Sequence, residues 1–393
     1  MDTADTSRTV SRVVLKNFRS IESCDVRLGA MTLLVGPNGS GKSNFLDALK
    51  LTRDALRTNL ENAIRERGGV DDVRRRSTGH PTHFGLRFDI NIEGGHAEYA
   101  YQVAARSGFT FEVQKEVCRV FEDGKTVTSF TVEDGVLTSP SHDLRSVRLA
   151  KDALALPLVG AYPAFAPVAS ALADMGFYNF NPDRARDLQD PDTGDVLAGD
   201  GRNLASVIRR LAASHSDVMT RVVDYLGTVV PGIRSVSARA YGPKETVEFR
   251  QEVVGGQNPW KFDAASVSDG TLRALCVLVA AFQEGTSLVG IEEPETAVHP
   301  GAARRVMDAL LEASERRQMI FTTHSPDLLD HPDIDIDSVI AVQAERGTSQ
   351  FGRVDQATRD AVRNNLYTPG DLLRLEQIKP DIFAPTSTRV RLF

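Results

Sequence analysis

The chain has 393 residues, 41% hydrophobic and 25% charged, the balance of a soluble globular protein with room for two or three compact units. A formal net charge of −7 gives no global electrostatic case for nucleic acid or an anionic membrane, so any such surface has to be local. Cys24, Cys118 and Cys276 follow no metal-ligand or paired spacing, no apolar run approaches a membrane span, and the polar opening "MDTADTSRTV" is no signal peptide; a cytoplasmic, reducing setting is expected.

In chain order, residues 31–57 read as a short buried strand, a glycine-rich turn and a helix with Phe45, Leu46, Leu49 and Leu56 on one face. The turn holds Gly36, Asn38, Gly39, Ser40, Gly41, Lys42 and Ser43 in a G-x-x-x-x-G-K-S phosphate loop. Its glycines let successive N–H groups face phosphate oxygens, and the helix N-terminus adds a positive dipole end. Lys42 is then expected on the β- and γ-phosphates and the Ser43 hydroxyl on Mg2+. A chance strand-to-helix turn needs neither the Lys-Ser pair nor the full spacing. Arg65, Arg67, Arg74, Arg75 and Arg76 follow, the densest basic cluster. Balanced by Glu61, Glu66, Asp71 and Asp72, it reads as a solvated face in preference to a track for a phosphate backbone.

From Phe84 to about Val136 the apolar period becomes two, with turns at "EGG", Asp123-Gly124 and Asp134-Gly135, which predicts an antiparallel meander. Residues 143–230 are mostly helical in pattern, broken by the Pro-, Gly- and Asp-rich stretch "NFNPDRARDLQDPDTGDVLAGDGRN". A hairpin turning at Gly242-Pro243 comes next. Alternating helix and strand then resume: helix 271–283, strand "SLVGI", helix "GAARRVMDALLEASERR", and strands "MIFTT" and "SVIAV". This predicts three segments: 1–142 with the phosphate loop and meander, 143–230 as a helical insertion, and 231–393 with the remaining motifs.

Three motifs in the last segment bear chemistry. Glu292 and Glu293 directly follow a buried strand, where one carboxylate can face a metal and the other the water that attacks the γ-phosphate. His324 follows a second strand in the same way, at an edge where imidazole can contact a γ-phosphate. Ser268, Asp269, Gly270 and Thr271 open the helix 271–283. They suit an ordinary N-cap, and equally an anion site if Asp269 turns its carboxylate aside. The sequence leaves both readings open.

Together and in this order, the motifs resemble the ABC-type ATPase heads of the RecF, SMC and OLD group. They look most like stand-alone RecF/OLD-like AAA-family ATPases of bacterial operons, many of them in anti-phage defence. The stretches "LKNFRSIESCDVRL", "SDGTLRAL", "IEEPETAVHP", "TTHSPDLL" and "LYTPGDLLRL" carry the likeness along nearly the whole chain. It implies an α/β fold, a P-loop NTPase with an ABC-type head, a mixed central sheet, an antiparallel β lobe and an inserted helical subdomain, without a long coiled coil. By the resemblance, Ser268 to Thr271 are the signature motif, Glu292 the Walker B acid, Glu293 the catalytic base, Glu295 to Pro300 the D-loop region and His324 the switch histidine. Arg19 sits where the group often places a basic residue near the nucleotide. Gln102 and Gln114 are both candidates for the Q-loop.

The resemblance further implies ATP and Mg2+ as cofactors and a homodimer in which each signature caps the nucleotide held by the other chain. A separate effector, a TOPRIM-like or other nuclease, is the expected partner; contact with nucleic acid is left open and none is expected with a membrane. The stretch after His324 is too short for a TOPRIM domain, so Asp333, Asp335 and Asp337 are expected to be a solvated loop and not a metal site. The alternatives are the ATPase subunit of an ABC transporter, which the SDGT signature and its distance from the phosphate loop disfavour, and a RecF-type repair ATPase acting directly on DNA.

Overall fold

The computed structural model describes residues 8–76, 82–108, 110–139, 147–252, 258–381 and 391–393. The chain divides into two compact units, one formed by residues 1–175, 335–367 and 375–393, the other by residues 176–334 and 368–374.

The first unit opens with the strands Thr9–Phe18 (β1), Ile21–Arg27 (β2) and Met31–Val35 (β3), followed by the helices Lys42–Arg57 (α1), Leu60–Arg65 (α2) and Val70–Val73 (α3). The meander is His83–Ile92 (β4), Gly95–Ala105 (β5), Phe111–Glu122 (β6), Lys125–Glu133 (β7), Val136–Thr138 (β8) and Val147–Arg148 (β9); the short helices Leu156–Val159 (α4) and Ala166–Ala173 (α5) end this part.

The second unit runs through Gly176–Tyr178 (β10), Pro182–Arg186 (α6), Leu204–Ser214 (α7), Ser216–Val229 (α8), Ile233–Tyr241 (β11), Lys244–Gln251 (β12) and Trp260–Asp263 (β13). Asp269–Phe282 (α9), Leu288–Glu292 (β14), Pro300–Ser314 (α10), Gln318–Thr323 (β15) and Pro326–Leu329 (α11) follow. The chain then returns to the first unit with Val339–Glu345 (β16), Thr348–Arg353 (β17) and Gln356–Arg363 (α12), and gives the second unit a last helix, Pro369–Arg374 (α13).

In the first unit the strand order is β3-β16-β17-β2-β1-β4-β5-β6-β7-β8-β9. The β3–β16 pairing is parallel, and β1 with β2 and every step from β1 to β9 is antiparallel, so the sheet is mixed. Two meander turns place both central residues at positive φ, Asp123 (47°) with Gly124 (72°) and Asp134 (50°) with Gly135 (76°), the backbone that two-residue hairpin turns require. Tyr99, Tyr101 and Val103 alternate inward along β5, and Phe45, Leu46 and Leu49 of α1 are buried, as the two periodicities predict.

In the second unit β10, β14 and β15 form a parallel run, and β11, β12 and β13 a separate antiparallel sheet. Every residue of β15 is buried, and α9 is buried from Thr271 to Phe282, a helix apolar but for Thr271 and Arg273 and therefore central.

The two units cut across the three segments expected from the sequence: 143–175 belongs with the phosphate-loop unit and 176–230 with the other. Strand β10 lies within the stretch read as helical. Three residues, "GFY", are too few for a period to register, and their pairing with β14 decides the conformation. No described helix is long and apolar enough to cross a membrane.

Candidate nucleotide site

In the first unit the phosphate loop joins β3 to α1. Gly39 and Gly41 take φ of 75° and 107°, a left-handed region that turns successive N–H groups to one side of the loop. Two further constraints select glycine. A Cβ on Gly41 would lie 2.1 Å from Ser349 Oγ, and one on Gly36 would lie 1.9 Å from the Val342 carbonyl oxygen. The loop is thus buttressed by β16 and β17, which arrive some three hundred residues later in the chain. Ser20 Oγ lies 2.6 Å from Ser349 Oγ and accepts from Asn44 Nδ2 of α1 at 2.6 Å, fixing the first turn of the helix from the side.

Lys42 is buried, and its Nζ donates to the carbonyls of Gly36 (2.7 Å) and Pro37 (3.0 Å). The ammonium therefore lies within the curve of its own loop, where a phosphate would meet it. Ser40 is 1% exposed and its Oγ has no hydrogen-bond partner, whereas Asn38 and Ser43 are exposed. A cation inside the loop and a donor left over fit a polyphosphate, and Ser43 at the helix start has the hydroxyl a phosphate-bound Mg2+ takes. Arg19, at φ 47°, pairs with Asp47 of α1 at 2.9 Å.

In the second unit Glu292 ends β14 and Glu293 follows at φ 45°, a conformation unusual for a side chain as long as glutamate and costing on the order of 1 kcal/mol. The strain is held by the Glu293 N–H, which donates to the Thr322 carbonyl (3.0 Å) and Thr322 Oγ1 (3.2 Å) on β15. His324, exposed at the end of β15, places Nδ1 3.1 Å from Glu293 Oε1, and Thr296 Oγ1 donates to Glu293 Oε2 at 3.2 Å. Glu293 and His324, to which the sequence assigned separate roles, are therefore in contact. Glu295, by contrast, is buried: Oε1 accepts from Thr323 Oγ1, Oε2 has no partner, and burial raises its pKa above the usual carboxylate range.

The stretch Ser268 to Thr271 is a helix cap. Ser268 Oγ accepts from the Thr271 N–H at 3.2 Å, so of the two readings left open the N-cap is present in the structure. Ser268 and Asp269 are exposed, and Asp269 is ion-paired with Arg186 of α6, which draws its charge aside. Gly270 packs so closely that a Cβ would meet the Ala297 carbonyl oxygen at 2.3 Å. This ties the first turn of α9 to the loop after Glu293. Arg186 and the buried Arg273 on α9 escaped the sequence reading. Their contacts are with residues distant in the chain, and an arginine carries no local mark of such a partner.

The remaining candidates are engaged elsewhere. Gln102 Nε2 donates to Gln114 Oε1 at 2.6 Å across β5 and β6. Arg67, Arg74, Arg75 and Arg76 pair with Asp47 and Asp54, Asp71, Glu22, and Asp72; the charges are balanced, but the Arg67 and Arg75 side chains are largely buried, so the cluster is not the solvated face expected from the sequence. The Asp333 N–H donates to His331 Nδ1, Asp335 caps a short 3-10 turn, and Asp337 pairs with Arg363. Among the described residues no group of three or more His, Cys, Asp or Glu is arranged to hold a metal ion.

A phosphate loop between strand and helix, a glutamate pair whose strained second member meets a histidine, and a serine-capped central helix define the head of an ABC-type ATPase of the RecF/SMC/OLD-like group. Residues 31–108 and 137–330 match the model of the family described as "AAA domain, putative AbiEii toxin, Type IV TA system", and the chain belongs to that family. Among curated proteins it is 49% identical over 43 residues to the "DNA replication and repair protein RecF" of Vibrio cholerae, 11% of this chain and 12% of that one. It is 48% identical over 42 residues to the "OLD nuclease" of Thermus scotoductus, 11% of this chain and 8% of that one. The chain thus matches only a small part of these relatives.

Among solved structures, an SMC head bound to the C-terminal winged-helix domain of ScpA superposes with a TM-score of 0.56 at 16% identity, over 89% of this chain and 99% of that one. An SMC head with an extended coiled coil, bound to the C-terminal domain of ScpA and derived from Pyrococcus furiosus, gives 0.56 at 12% identity over 91% and 99%. At that identity the likeness speaks for the fold.

Proposed function

We propose that the protein binds ATP with Mg2+, hydrolyses it, and closes head-to-tail around two nucleotides to control a separate effector in DNA processing or anti-phage defence. The observation that carries this reading is the phosphate loop, with Lys42 already inside its curve. In the proposed cycle the Gly39, Ser40 and Gly41 backbone and Lys42 bind the phosphates, and Ser43 and Glu292 are the residues that would hold Mg2+, which would neutralise charge developing on the transferred phosphoryl group. Glu293 accepts a proton from the attacking water. His324 restrains that carboxylate through its hydrogen bond and reports the γ-phosphate. The exposed Ser268 end of α9 serves the nucleotide held by a second copy, its N–H groups and hydroxyl facing the γ-phosphate once Asp269 is drawn off by Arg186.

Steady-state phosphate release and nucleotide binding test the reading. The wild type should hydrolyse ATP, Lys42→Ala should lose binding, and Glu293→Gln should bind ATP while releasing phosphate roughly a hundredfold or more slowly. Hydrolysis undiminished in both variants would sink it. The short match to RecF favours a second reading, direct action on DNA. ATP-dependent retention of duplex DNA by the purified chain would support that over an effector-only role.

A further inference from the structure

Helix α9 carries a buried guanidinium in an otherwise apolar run. Arg273 is 7% exposed, and Nη1 donates to the Phe180 carbonyl at 2.6 Å while Nη2 donates to the carbonyls of Glu292 (3.2 Å) and Glu293 (3.1 Å). Burying this charge is costly unless it is compensated, and here the hydrogen bonds all end on main-chain oxygens. Its Nε has no hydrogen-bond partner. Burial lowers the Arg273 pKa, and the charges of Glu293, Glu295 and Glu292 oppose the shift. Glu295, also buried, has an unpartnered oxygen of its own, Oε2, and its carboxylate is among the charges that act on Arg273.

A structural arginine could have ended on any carbonyl. Besides the Phe180 carbonyl, this one ends on the two residues to which the chemistry is assigned, from the second turn of the helix that Ser268 caps. A forked guanidinium can hold several carbonyls at once, which a lysine ammonium cannot do in the same fixed geometry.

We propose that Arg273 is a positioning residue, with Glu295 as its buried counter-charge, that fixes the Glu292–Glu293 main chain and so aims the Glu293 carboxylate from the signature helix. This rests on the reading of Glu293 as the base. Because Glu293 sits at φ 45°, loss of the carbonyl contacts lets the peptide relax and the carboxylate leave its line of attack. Binding of ATP, which depends on the phosphate loop, is unaffected.

The test is a double-mutant cycle on the full chain, read as kcat for phosphate release and Kd for ATP. Arg273→Lys should lower kcat by about 10- to 100-fold, the scale of a misplacement near 1 Å, with Kd within about twofold of wild type. In a Glu293→Gln background the same substitution should have no further effect. A wild-type kcat in Arg273→Lys, or an equal loss in both backgrounds, would overturn the proposal. Should Arg273→Lys not fold, Glu295→Gln serves instead, since it keeps the acceptor for Thr323 and removes only the counter-charge. A drop in kcat at unchanged Kd supports the proposal and an unchanged kcat refutes it. Wild-type hydrolysis in Glu293→Gln alone would mark the failure as that of the base assignment, and Arg273 would fall with it.

Discussion

Lys42 and Glu116 show two outcomes of burying an ionisable group. Lys42 is satisfied by two carbonyls that a phosphate can replace, which makes it a binding group. Glu116 of β6 is fully buried and accepts from Tyr99 OH (2.9 Å) and from the N–H groups of Ala155 (2.5 Å) and Leu156 (3.0 Å). Burial still pushes its pKa up to about 7, against 4.5 for an ordinary glutamate. The folded state therefore holds this proton more tightly than the unfolded one. The stability it contributes is full below about pH 4.5 and is lost as pH rises through about 7. Thermal unfolding followed by circular dichroism should show a decline in Tm from pH 5 to 7.5 that Glu116→Gln flattens; parallel curves for the two proteins would refute the assignment. At this scale the sequence exposed whatever is contiguous. Lys42 and the glutamate pair stand in short motifs, whereas Arg273 reads as one arginine in an apolar helix until Phe180, Glu292 and Glu293 are brought to it.

The elements divide the same way. Helix α9, β14 and β15 were legible from period and length, and so were the meander turns, because Asp-Gly at those positions has a local backbone reason. What holds the phosphate loop was not legible. Ser349 and Val342 sit in a hairpin with no marker of that duty, and only the close approaches to Gly41 and Gly36 disclose it. Gly41→Ala should accordingly cost more than the 1 kcal/mol typical of a strained φ, because its Cβ meets Ser349 as well, and ATP affinity should fall with it. Isothermal titration beside a thermal melt checks both; wild-type affinity in that variant would contradict the buttressing. The cap of α9 gives the opposite expectation. Ser268→Ala removes one capping bond, about 1 kcal/mol of stability, and should leave the affinity for ATP intact while slowing turnover. Turnover equal to wild type would leave Ser268 as a cap and nothing more.

For the whole molecule, the RecF/SMC/OLD-like class was within reach of the sequence because several motifs occur in one order, each weak alone and specific together. The two-unit organisation was not. The chain returns to its first unit only after residue 334, and segment 143–230, mostly helical in pattern, is shared between the units because strand pairing and not local period assigns it. Ser268 and Asp269 are exposed at the end of a helix that is otherwise buried, and this is what makes a second copy part of the proposed mechanism. The most direct measurement is the association state of Glu293→Gln by sedimentation velocity, with and without Mg2+ and ATP. Head-to-tail closure predicts a monomer that becomes a dimer when ATP is added and stays monomeric when Ser268→Arg is combined with it. A sedimentation profile indifferent to ATP, or an ATP-dependent dimer indifferent to Ser268, would contradict head-to-tail closure.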